Sequence, residues 1–141
     1  MKIIQHIIFV SLISSLALTK DIKEHVEELL DNAFPNHIIT LTKYKIPTNI
    51  KLDLQKKTKQ KFYRNDLYVW KIINNNILVG IAVIDNVKGK SMPITFLTIF
   101  DNKGNIINNH IIKYREPYGG EISNKNWLKQ FIGKNKNSSY N

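Results

Sequence analysis

Cysteine is absent from all 141 residues, which excludes disulfides, thiolate metal centres and cysteine nucleophiles. Histidine is scarce, and His6, His25, His37 and His110 show no metal-ligand spacing, so a histidine metal site is not expected. Acidic residues are few as well: 11 Asp and Glu face 21 Lys and Arg, giving a formal net charge of +10. Such a balance suits an anionic partner. The lysines are scattered, however, and only KKTKQKFYR, from Lys56 to Arg64, is dense. That spread reads as a solvated basic surface, and no nucleic acid partner is expected. No nucleophile, base and orienting residue come together at any spacing, so no hydrolytic or other catalytic set is found.

What the chain does have is 43% hydrophobic and 10% aromatic residues, enough for the core of one domain. An apolar run lies at the start, from Ile3 to Leu18 behind Lys2, interrupted only by Gln5, His6 and serines, with Ser15 and Ala17 as small residues before a cut. These are the n-region and h-region of a secretory signal. Residues 1–19 are therefore expected to be a signal peptide or N-terminal anchor. The working part, residues 20–134, is expected to be exported, either periplasmic or tethered to the outer face of the membrane by residues 3–19. Residues 135–141 form a polar tail, expected to be frayed.

Asp21 and Glu24 have the spacing of a capping box, and Ile22, Val26, Leu29, Leu30 and Ala33 share one helical face, predicting a helix that ends at Phe34 and Pro35. HIITLTKY, residues 37–44, alternates as a strand. The segment from Pro47 to about Phe62 reads as a helix with Ile50 and Leu54 on one face. From Leu67 the period is two: LYVWKII, ILVGIAVID, MPITFLTIF and NIINNHIIKY are four strands with short links, hence an antiparallel meander. Ser123 is a credible N-cap for a last helix, NKNWLKQFIG, stopped by Gly133. The fold class is α+β, a twisted antiparallel sheet of about four to five strands with helices packed on one face.

Two stretches are too irregular for plain scaffold. In NVKGKSMP, Gly89 sits where unusual backbone angles are expected, as does Gly104, and Gly89, Lys90 and Ser91 are able to present N–H groups, an ammonium and a hydroxyl to a phosphate. In KYREPYGGEI, residues 113–122, Pro117 pins the chain and Gly119 and Gly120 permit close approach of backbone to a ligand. As pure scaffold, Arg115 and Glu116 would pair within that loop.

The order KGKSMPITFLTIFDNKGNIINNHIIKYREPYGGEISNKNWLKQFIGK, residues 88–134, resembles the core of the FMN-binding domain family, which includes the G subunit of the Rnf complex and the C subunit of the sodium-pumping quinone reductase. The matching parts are a strand, an acidic-Gly turn, a strand, a glutamate-centred Pro/Gly loop and a helix ending in Gly-Lys. A weaker likeness reaches back through LYVWKIINNNILVGIAVID. The resemblance implies an exported flavin-dependent electron carrier with a redox partner at the outer face of the cytoplasmic membrane. It implies FMN as cofactor, bordered by Tyr114, Arg115, Glu116, Tyr118, Gly119, Gly120 and Trp127. The family's Ser-Gly-Ala-Thr attachment stretch does not occur in these residues, and Ser138 and Ser139 lack its context. Flavin binding is therefore expected to be noncovalent or lost. The alternative is an exported small basic α+β binding or interaction module without cofactor, working through Lys56 to Arg64.

Overall fold

The computed structural model describes residues 21–62 and 64–139. Two compact units are present, one ending at Pro35 and the other beginning at Asn36. In the first, residues 21–33 form helix α1. Val26 and Leu30, one turn apart, are fully buried, as the apolar stripe predicts. Asp21 already has helical backbone, so it lies inside the helix and is not its cap. The signal or anchor assigned to residues 1–19 lies outside the described residues. Among those described, no helix is long and apolar enough to cross a membrane.

The second unit is built on a five-stranded sheet in chain order: β1 Ile38–Lys45, β2 Asp66–Asn74, β3 Ile77–Lys88, β4 Pro93–Asp101 and β5 Ile106–Lys113. Every neighbouring pair is antiparallel, the meander that the short links demand. Between β2 and β3, Asn75 and Asn76 take positive φ of 48° and 63°, as a tight hairpin matched to strand twist needs. Between β4 and β5, Gly104 takes φ 83° and donates its N–H to the Asp101 carbonyl. The Asp101 carboxylate accepts from the N–H groups of Lys103 and Asn105, which closes the turn.

Alternation gives the sheet two different faces. Trp70, Ile72, Ala82, Ile84, Leu97 and Ile99 project to one side and are buried. Val69, Lys71, Ile81, Val83, Phe96, Thr98 and Phe100 project to the other. Over this second face stand helix α2, Thr48–Thr58, and the C-terminal segment. Both helices flank one face, so the α+β reading is borne out. Helix α2 is shorter than its lysine-rich sequence suggests, because Lys59 turns left-handed at φ 54° and ends it.

The last helix is also shorter than its stripe predicts. A 3-10 turn at Gly120–Ser123 leads into α3, Lys125–Leu128, and a second 3-10 turn covers Lys129–Phe131. Its cap is Asn124, whose side chain accepts from the Asn126 N–H, and Ser123 belongs to the turn before it. Two bulges on β5, opposite Thr95/Phe96 and Ile99/Phe100, set which of its residues face this segment. The Ile106 N–H donates to the Lys134 carbonyl and the Gly133 N–H to the Ile106 carbonyl, and at the start of the tail the Asn135 amide donates to Asn105 Oδ1.

Leu97 is fully buried and Ile77 is 63% exposed, although both are strand residues of similar size. Leu97→Ala should therefore lower unfolding free energy by about 2–5 kcal/mol. Ile77→Ala should stay within about 0.5 kcal/mol, both read by urea titration.

Candidate functional site

The KYREPYGGEI loop is held by two of its charged residues, Glu116 reaching the connection between β3 and β4 and Arg115 the start of β4. Glu116 Oε1 accepts from the backbone N–H groups of Ser91, at 2.8 Å, and Met92, at 3.0 Å. Arg115 donates to the Pro93 carbonyl at 2.9 Å and to the hydroxyl of buried Thr95 at 3.0 Å. Thr95 in turn donates to Asn86 Oδ1 at 2.6 Å. Arg115 and Glu116 therefore do not pair with each other. They bind consecutive stretches of the same neighbouring segment, one as donor and one as acceptor.

This arrangement answers what the first irregular stretch is for. Of the residues that sequence offered to a phosphate, Ser91 turns its N–H, with that of Met92, toward an anion that is the chain's own Glu116, while the Gly89 N–H donates to the Met92 carbonyl. Gly89 is needed for space and not for an unusual φ. A Cβ built there would lie 2.2 Å from Glu116 Oε1 and 2.7 Å from the Met92 carbonyl oxygen. The Met92 bond, and then the Ser91 bond, hold the Glu116 carboxyl below the usual carboxylate range.

The remaining predicted residues divide by position. The Tyr114 hydroxyl donates to the Tyr118 carbonyl and spans the bend. Desolvation first, then the charges of Glu116 and Glu121, raise its pKa, so the phenol keeps its proton. Gly119 takes φ 85°, and a Cβ there would sit 2.9 Å from the Tyr114 hydroxyl, so this glycine is required on both counts. Gly120 starts the 3-10 turn with open space around it. Tyr118 is 87% exposed. Trp127 stands apart from these, packed edge-on against Phe131 with centroids 5.2 Å apart.

Trp127 lines an apolar cleft of about 250 Å³ on the open sheet face, with Phe96, Asn109, Ile122, Leu128 and Phe131 among its walls. Of the loop residues named from sequence, none but Trp127 borders it. Asn109 is the residue that sequence reasoning missed. Its amide nitrogen donates to the Leu128 carbonyl at 3.2 Å, while its Oδ1 is buried without a partner. No sequence signal marked it, since Asn109 stands between the polar Asn108 and His110 and the β5 bulges set which residues face the cleft.

Two larger depressions adjoin. One, of about 520 Å³, is bordered by Lys59, Lys61, Arg64 and Lys88 together with Asp66 and Asp85. The other is an apolar trough of about 640 Å³ that shares Phe96 and Thr98 with the Trp127 cleft. Among the described residues no group of three His, Asp or Glu is placed to hold a metal ion. Compared with known proteins, the chain matches no family model, no curated protein and no solved structure.

Because the folded state lowers the Glu116 pKa, its contribution to stability is present above the unfolded pKa and disappears as pH falls through the folded value. Glu116→Gln should therefore unfold at lower urea than the parent near neutrality. The gap should close as pH falls from the ordinary glutamate range to below the lowered value. Asp101, held down by Asn105, titrates equally in both proteins and cancels from the difference. Paired urea titrations across this pH range check the prediction; a gap constant with pH would contradict it.

Proposed function

We propose that this chain is an FMN-binding protein of the electron-carrier type, exported and working with a redox partner at the outer face of the cytoplasmic membrane, with its flavin held noncovalently. The observation that carries the reading is the cleft beside the KYREPYGGEI loop. It is apolar, has Trp127 and Phe131 on one wall, and contains an unsatisfied buried acceptor, Asn109 Oδ1. A buried acceptor without a donor costs about 1–3 kcal/mol, so a ligand that brings an N–H to it is favoured. The isoalloxazine of FMN is a flat apolar ring system with one N–H on its polar edge, and it matches that donor requirement. Bound FMN would supply reversible transfer of one or two electrons.

The chain's own residues then have distinct tasks. Trp127 and Phe131 supply the aromatic wall, Asn109 orients the ring through its Oδ1, and Phe96 forms the floor. Arg115, Glu116, Tyr114 and Gly119 keep the loop in shape so that Ile122 and the α3 turn reach the cleft. These four act as frame, Trp127 as lining. Two stretches that carry the resemblance, around Gly89 and around Glu116, are in direct hydrogen-bonded contact, which is what parts of one cofactor-binding core require.

The basic depression bordered by Lys59, Lys61 and Arg64 favours a second reading, an interaction module for an anionic partner. The two readings separate on one pair of variants. Titration of the full chain with FMN should quench flavin fluorescence, and Trp127→Ala should weaken binding about tenfold, equivalent to roughly 1.4 kcal/mol of lost stacking. Neutralising Lys59, Lys61 and Arg64 should leave that titration unchanged. A protein that neither quenches FMN fluorescence nor purifies with flavin absorbance sinks the cofactor reading and leaves the interaction module.

A further inference from the structure

The apolar trough on the open sheet face is not absorbed by the flavin reading. It is formed by Val83, Phe96 and Phe100 of the sheet, Ile50 and Leu54 of α2, and Phe62 beyond it. Ile50 and Leu54 are 48% and 40% exposed, and no residue of α2 is buried. The helix therefore presents its apolar side to a space it does not fill. Burying such side chains is favourable in proportion to the apolar area covered, so an occupant of matching chemistry gains binding free energy there.

One residue breaks the apolar pattern. Lys71 lies on the same face of β2 as Val69 and Ile73, opposite Thr40 on β1 and Ile81 on β3, and it lines the trough. Its ammonium lies 5.7 Å from the centre of the Tyr44 ring, and among the described residues no carboxylate pairs with it. Lys45 and Lys51 also border the trough, against Asp85 as the single acidic side chain in its lining. A long apolar channel with an uncompensated cation inside it is complementary to a molecule that is hydrocarbon along its length and anionic at one end.

We propose that this trough binds a single-chain fatty acid, its carboxylate on the Lys71 ammonium and its hydrocarbon chain across the sheet toward Phe100. Lys71 on β2 and Phe100 on β4 lie two inter-strand spacings apart, about 10 Å, so a long acyl chain seats its carboxyl half across the sheet and bends to follow the trough beyond it. The walls exclude the other occupants. A peptide segment would bury a row of N–H and C=O groups along a floor of Val69, Ile81, Val83, Phe96 and Phe100, which offers them few partners. A second copy would bring its own +10 charge to a cationic rim. A diacyl phospholipid carries two chains for one channel. This site adjoins the Trp127 cleft, sharing Phe96 and Thr98 with it, and does not rest on the flavin reading.

The experiment uses the full chain and a fluorescent polyene fatty acid as probe, displaced by oleate. Oleate should displace the probe, and methyl oleate, which lacks the charge, should do so about tenfold less well, the usual scale of one charge-assisted hydrogen bond. Lys71→Met should remove the difference between acid and ester without changing FMN titration. Leu54→Glu, at a half-exposed helix position that folding tolerates, should weaken both acid and ester. Failure of oleate to displace the probe overturns the proposal. So does equal binding of acid and ester by the parent protein, or displacement of the probe by FMN. Binding to phosphatidylglycerol vesicles without displacement by oleate would assign the trough to a membrane surface and overturn it likewise.

Discussion

The organisation of the open sheet face depends on one carboxylate meeting two backbone N–H groups. Glu116 turns toward Ser91 and Met92 because the turn after Gly89 leaves those donors without a strand partner, and an unpaired backbone donor must be satisfied. The same contact orients the rest of the loop. With Glu116 fixed, Arg115 is placed on Pro93 and Thr95, Tyr114 closes on Tyr118, and the chain leaves through Gly119 into the helical turns that carry Trp127 over the sheet. An anion supplied from within takes the place that a bound phosphate would otherwise fill.

The two sides of the sheet show how a meander separates stability from binding. One face is a continuous apolar set with full burial and gives the unit its core. The other is only partly covered, because α2 and the C-terminal turns stand toward opposite edges and leave a floor of Phe96, Thr98 and Phe100 between them. Polar residues set into that floor, Lys71 and Asn109, give it chemical character. Each is a local exception to the apolar rule of its face. Such exceptions are tolerated where a partner from outside can satisfy them.

The strands were legible in the sequence because their period of two is punctuated by Asn75-Asn76 and by Asp101 to Gly104, turn residues with a mechanism. Fine features at the helices were not. Ser123 and Asn124 are equally good caps, and only the path of the preceding 3-10 turn selects Asn124. The stripe of Trp127, Leu128, Phe131 and Ile132 suggests a longer helix. In the fold the chain tightens after Leu128 so that Gly133 and Lys134 can bond β5. The reason for Gly89 was equally hidden, since it is a contact with a side chain far along the chain. The irregular loop was singled out from sequence, while the cleft beside it was not, because Asn109 acquires its role from a register set by two bulges.

The Glu116 contacts span 25 and 24 residues, whereas the sheet is assembled from neighbouring hairpins. Local pairings form early and long loops close late, so the sheet can be complete before the loop docks. The loop is then a cooperative unit of its own, able to open while the strands stay paired. In hydrogen exchange this would place the amides of Ser91 and Met92 in a fast-exchanging class beside slow β4 amides such as those of Leu97 and Ile99. Loss of the Glu116 contacts would thus leave the strand pairings and the buried face of the sheet in place.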